Sequence, residues 1–183
     1  DFVEDVSFST GGFSARYGDK MSSVLTLKMQ DVNSDGLQAK ATISATQYGV
    51  DFQQPFSDRG GLIFSARKSY LDLIFKAAGL AFVPVYTDFN LIANYDISPK
   101  DKLFVLALSA INDVDRDLST LENRVENAGI LGNDQYQAVS GINYRRLLNW
   151  GYLDATVGLN LFKYGFRQAN PEMQEFFKSD ARE

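Results

Sequence analysis

From Leu37 onward the chain repeats one pattern seven times, with apolar and polar residues alternating one by one over stretches of about ten residues. A period of two marks a β-strand with unlike faces, because successive side chains point to opposite sides of the pleat. A helix would instead place its apolar residues every third or fourth position. Leu37 to Gln47 sets Leu37, Ala39, Ala41, Ile43 and Ala45 against Gln38, Lys40, Thr42, Ser44 and Thr46. Tyr48 to Phe56, Gly61 to Leu71, Val85 to Ile97, Lys102 to Asp113, Gln135 to Leu148 and Gly151 to Phe166 repeat the pattern. In Val85 to Ile97, Ile92 is an apolar exception among Asp88, Asn90, Asn94 and Asp96. In Lys102 to Asp113, Phe104, Leu106, Leu108 and Ala110 share a face, and the opposite face is less polar than elsewhere. The last segment sets Leu153, Ala155, Val157, Leu159 and Leu161 against Asp154, Thr156, Gly158 and Asn160. The fold class that follows is all-β and antiparallel.

Before these segments stand a short lead-in strand, Val3 to Ser9, a glycine-rich turn at Gly11, a polar knot from Ser14 to Ser22 and a β-like run, Ser23 to Met29. Asp31, Asn33, Asp35 and Gly36 match the first half of a calcium loop, but its twelfth position is Thr42 where a bidentate Glu is required. The run therefore reads as a polar linker. Among the connections, Ser57 to Gly60, Ser98 to Asp101 and Asn149-Trp150 are short. Long ones run from Leu71 to Phe82, from Val114 to Asp134 and again after Phe166, and a tight bend near Gln47 to Gly49 breaks the pattern. Leu71 to Phe82 reads as a short amphipathic helix or lid closed by Gly79 and Pro84, with packing on the rim favoured over an outer lid. The capping box Ser119-Thr120-Leu121-Glu122, with Gly129 as terminator, places a two-turn helix in the acidic connection. The nearby Asn112, Asp113, Asp115 and Asp117 read as a solvated loop. The tail, Arg167 to Glu183, is polar.

Composition narrows the function. A formal charge of −5 and a pI of about 4.8 argue against a nucleic-acid partner, which needs clustered Lys and Arg. The 183 residues contain neither Cys nor His, which removes thiolate and imidazole chemistry and the usual neutral-pH base. The sequence predicts no enzyme, no cofactor and no metal. No apolar run reaches the roughly 18 residues of a membrane helix, and the N-terminus lacks a signal-peptide pattern. Nine Tyr and fourteen Phe suit many half-buried strands.

Short turns on one rim and long loops on the other are the organisation of an outer-membrane barrel. Segments of about ten residues are long enough to cross a bilayer at a tilt. Tyr48, Phe56, Tyr70, Tyr86, Tyr95, Tyr136, Trp150, Tyr152, Phe162 and Tyr164 lie near segment ends, where interfacial girdles put aromatics. The polar face carries Ser, Thr, Asn and Gln in place of the Lys and Glu usual on a water-exposed sheet. The rival architecture is a soluble β-sandwich, in which the apolar rows would be buried against a second sheet.

The segment Gly11 to Leu25, GGFSARYGDKMSSVL, resembles the end of the plug domain of TonB-dependent outer-membrane transporters. Ser65 to Asp72 resembles the third barrel strand of one large branch of that family, and Ile97 to Leu103 is similar to its periplasmic turns. The resemblance implies residues 1–33 as the C-terminal end of a plug and residues 34–183 as the first strands, about seven, of a transmembrane β-barrel. The family's barrel has roughly 22 strands. An open wall of seven would leave two unpaired edges in lipid, which a bilayer does not tolerate. The chain is therefore expected to be part of a longer polypeptide that supplies the front of the plug, the TonB-binding segment and the other strands.

The resemblance further implies energised uptake of a bulky, scarce solute across the outer membrane of a Gram-negative cell. Its partners are outer-membrane lipid, a TonB-type energy-transducing complex and, in some members, a surface lipoprotein. Arg16, Tyr17, Asp19 and Lys20 in the knot, with Arg67, Asp88, Asn90, Asn94, Asn143, Arg145 and Asp154 on the wall, are expected to form a wet, polar contact between plug and lumen. Arg67 is expected to bond the plug. Two other readings fit the residues: a barrel component of a secretion or surface-assembly complex, and a soluble β-rich binding module.

Overall fold

A computed structural model describes residues 3–15, 17–18, 22–30, 32 and 36–183. The calcium-like run lies largely outside them. Two antiparallel sheets form. β1 (Val3–Ser9) and β2 (Val24–Met29) make a ribbon, with Ser7 opposite Thr26 and Phe8 opposite Leu25. The second sheet holds eight strands in chain order. These are β3 (Gln38–Ile43), β4 (Gln47–Ser57), β5 (Gly60–Ser69), β6 (Phe82–Ser98), β7 (Asp101–Arg116), β8 (Gly132–Leu148), β9 (Gly151–Ala169) and β10 (Glu175–Arg182). The chain is all-β and antiparallel, as the alternation requires.

Residues paired across an antiparallel ladder share a face, so the register carries two faces through the whole sheet. One row reads Asp51, Ser65, Asn90, Leu108, Val139 and Asn160. The row on the opposite face reads Phe52, Phe64, Leu91, Ala107, Ser140 and Leu159. We call these the polar and the apolar face. The apolar face of β9 has no cover: Leu153 is 50% exposed, Val157 78% and Leu159 57%. A second sheet over this row, as a sandwich demands, is absent among the described residues.

Several strands differ from the expected segments. β6 to β9 run 16 to 19 residues, not about ten, because ladder pairing continues past the alternating core. The polar tail pairs with β9 as an eighth strand, and its connection shrinks to residues 170–174. Asn112, Asp113 and Asp115 belong to β7, leaving Asp117 in the loop. The bend expected near Gln47 to Gly49 sits at residues 44–46, where Ser44 N–H donates to the Gln47 carbonyl at 2.9 Å. Pro84 lies within β6, opposite Val114 of β7. At that point β5 has already ended its pairing at Lys68–Thr87, so the missing N–H faces no neighbour. Pro55 is placed likewise, beyond the last β3 partner of β4, Gln53.

The short turns β4–β5, β6–β7 and β8–β9 share one rim. The opposite rim carries both helices, α1 (Leu71–Ala77) and α2 (Leu121–Asn127). α1 ends as expected at Gly79, whose φ of +74° suits glycine, and Phe75 meets Phe82 of β6 edge to face at 5.5 Å. α2 is capped one residue later than the box implied. Thr120 Oγ1 accepts from the Asn123 N–H at 3.1 Å, so Thr120 and not Ser119 stands where the backbone turns extended. The buried Asn127 latches α2 to the sheet, its amide donating to the Ala81 and Asp117 carbonyls at 2.9 Å each. Gln168 adds a bond to the Ala128 carbonyl at 2.8 Å.

Hydrogen bonds from Ser119, its hydroxyl first and then its backbone N–H, hold the Asp117 carboxyl below its ordinary value, helped by Asn123. A carboxyl with a depressed folded-state pKa stabilises the fold above its unfolded pKa and loses that contribution as pH falls through the folded one. Hydrogen-exchange protection of α2, corrected for intrinsic rates, is expected to fall below about pH 4 and to lose this pH dependence in Asp117→Asn. Gly61 gives a second test. A Cβ there would stand 2.6 Å from the Gln54 carbonyl oxygen and 2.7 Å from the Val32 side chain. Gly61→Ala is expected to cost about 1–3 kcal/mol in unfolding measurements, whereas Gly151→Ala, with open space around it, is near neutral.

Candidate functional site

The most buried residues of the large sheet's interior lie on its polar face. Ile63 is 3% exposed, Ser65 1% and Ile92 1%. In a sheet one layer thick, such burial requires something lying over that face. The cover is the β1–β2 ribbon and the residues that leave it. Val32 packs on Gly61, and Gln30 lines a cleft with Lys40, Asp51 and Ile63. Leu27 and Met29 wall a cleft of about 590 Å³ with Ser65, Arg67, Asn90 and Leu108. On the other side they wall one of about 420 Å³ with Asn94, Phe104, Leu106 and Asn143.

An apolar patch lies in the middle of this face, between the polar residues expected at the contact. Ile92 pairs with Ile63 and Leu106, and Leu108 stands one step along the same face. β7 turns its Phe104, Leu106, Leu108 and Ala110 row toward the ribbon, while Leu103, Val105, Ala107 and Ile111 lie on the apolar face. With both rows of β7 apolar, the strand alone cannot specify its own facing; its neighbours' register does. The Ile92 exception was the signal for this seat, since an isolated apolar residue on a polar face needs a local cover.

The expected polar residues form two groups on either side of the seat. Toward the helix-bearing rim, Arg67 Nε–H donates to Asp88 Oδ1 at 2.9 Å, and the Asn90 amide donates to the same oxygen at 3.2 Å. Toward the short-turn rim, Arg145 donates twice to Asp154 Oδ2, at 2.9 and 2.6 Å. Asn143 donates to Asp154 and, at 2.8 Å, to Thr156 Oγ1. Asn94 joins this second group as a wall of the cleft beside Leu27 and Met29. Arg67 thus bonds a neighbouring strand and not, among the described residues, the ribbon. Tyr17 is exposed, its N–H donating to the Ser14 carbonyl at 3.0 Å. Arg16, Asp19 and Lys20 lie outside the described residues.

These ion pairs are partly exposed, with Arg67 and Arg145 side chains 47% and 53% accessible, so each contributes about 0–1 kcal/mol. Complete burial of one large aliphatic side chain contributes roughly 1.5–3 kcal/mol. The buried aliphatic residues here belong to the wall; on the ribbon Leu27 stays 47% exposed. Among the described residues there is no group of side chains fit to hold a metal ion. The arrangement is suited to positioning one segment against a wall.

Two substitutions separate these contributions. Leu108→Asn is expected to broaden the distance distribution between spin labels on Ser7 and Gln137, read by pulsed electron resonance. Arg67→Ala should leave it narrow, and a double-mutant cycle of Arg67 with Asp88 should return a coupling under about 1 kcal/mol.

No family, curated protein or solved structure matches the chain, and the reading of its function rests on the geometry just described.

Proposed function

We propose that this chain is part of an outer-membrane, TonB-dependent transporter, comprising the end of its plug and the first strands of its β-barrel. The observation that carries the reading is the bare apolar face. A row in which Val157 is 78% and Leu159 57% exposed far exceeds what a water-soluble sheet leaves uncovered, while lipid hydrocarbon would cover it at no cost. Aromatic residues bound the apolar rows at both ends, Tyr144 in one and Tyr136 in the other, on β8. The eight residue steps from one to the other span roughly 26 Å along the strand. A tilt of about 40° reduces this to roughly 20 Å, close to the apolar band of about 25 Å of such barrels.

The polar face then lines the lumen, and the ribbon seated on it is the last part of the plug. Its apolar seat fixes this end of the plug to the wall. The polar contacts on either side are wet and exchangeable, so the rest of the plug moves under the pull of a TonB-type complex while its last strands stay docked. Uptake of a bulky solute follows from that division. The short-turn rim faces the periplasm and the helix-bearing rim the exterior, where there is room for a surface lipoprotein. The bare face argues against the soluble binding module, and the seated ribbon favours a plugged barrel over an assembly component with an open bore.

Charge scanning tests the reading. In the full-length polypeptide, Val157→Arg on the apolar face is expected to lower folding stability in lipid vesicles by about 2–4 kcal/mol, and Asn160→Arg on the polar face to leave it nearly unchanged. Equal effects of the two, or a protein that stays monodisperse in water without detergent, would sink the proposal.

A further inference from the structure

The apolar rows end toward the helix-bearing rim in a row of different chemistry. Tyr48, Lys68, Thr87, Ile111, Tyr136, Lys163 and Arg182 stand opposite one another across β4 to β10. Lys163 of β9 and Arg182 of β10 are direct cross-strand partners. Like charges placed so destabilise a ladder, and neither has a carboxylate partner among the described residues. The carboxylates nearby are engaged elsewhere. Arg167 bridges Asp134 and Asp180, at 3.4 Å each, and Lys178 also reaches Asp180 at 3.4 Å. On the β9 side the pair adjoins Tyr136, and two residues before Lys163 stands Leu161, the last apolar residue of its row.

We propose that Lys163 and Arg182 form a binding site for the phosphate of an anionic lipid headgroup in the leaflet next to the helix-bearing rim. This rests on the membrane reading above. A phosphate between the two side chains removes their mutual repulsion, and a guanidinium meets phosphate oxygens with two parallel N–H donors. The position fits the occupant: one step beyond the apolar row is headgroup depth, and the Tyr136 ring beside the pair suits the same boundary. Two cations acting together at a membrane surface correspond to a preference of roughly thirtyfold for an anionic over a zwitterionic headgroup.

The test uses the full-length polypeptide of which this chain is part, reconstituted in nanodiscs of phosphatidylcholine with trace phosphatidylglycerol, with bound lipid identified by native mass spectrometry. Lys163→Gln/Arg182→Gln is compared with the wild type and with Lys40→Gln, a cation on the polar face. Enrichment of phosphatidylglycerol in the wild type and in Lys40→Gln, with its loss in the double variant, is the expected result. Equal enrichment in all three proteins overturns the lipid site while leaving the membrane reading intact. Displacement of the bound lipid by millimolar inorganic phosphate would show a free-anion site and overturn it too. Failure of the wild type to enter any nanodisc overturns both readings together.

Discussion

The backbone ladder between neighbouring strands is the interaction on which everything else in this molecule depends. Each strand from β4 to β9 is bonded on both sides, so hydrogen bonding satisfies the backbone without help from solvent or from a second layer. Given that ladder, the strict parity of side chains does the rest. One register, carried from β3 to β10, sends every odd residue of β8 and every even residue of β9 to the same side. A sheet so built can leave one whole face apolar and uncovered only where the surroundings are themselves apolar, and that constraint connects the fold to the proposed membrane setting.

Burial is concentrated where the ribbon lies. Ile63, Ser65 and Ile92 are the deepest points of the sheet's interior, and Leu27, Met29 and Gln30 line clefts with Ser65 and Ile63 on the polar side. The Ser65 hydroxyl is buried there without a protein partner, which is consistent with water in the adjoining cleft. The contact therefore combines apolar burial at Ile63 and Ile92 with polar, water-accessible clefts beside them. In the proposed transporter that difference separates the part of the plug that stays from the part that yields, since apolar burial resists sliding more than exchangeable polar contacts do.

The two rims divide in the same way. Tight turns of two residues close one end, where the chain only reverses. At the other end α2 is bound down by Asn127, Arg116 and Gln168 to main-chain carbonyls of its own loop and of the strand ends. The two helices present Leu73, Leu121 and Val125 outward, while their polar anchors face the sheet. A loop tied by side chain to main-chain bonds keeps its shape without a core of its own, and so extends the ordered wall beyond the apolar rows.

Much of this was written locally. Alternation in Leu37 to Gln47 or Gly151 to Phe166 fixes a strand and its two faces without reference to any neighbour, because the pleat has a period of two. Glycine and proline likewise marked the turns, and the helix between Thr120 and Gly129 was legible from its cap. Tertiary structure alone decided three things. It assigned the facing of β7, whose two rows are both apolar and which takes its parity from β6 and β8. It recruited the tail as β10, since pairing with an exposed strand edge needs backbone groups more than it needs a pattern. And it gave Arg67 to Asp88, because a cross-strand carboxylate in register is nearer than any partner that the linear order of residues can suggest.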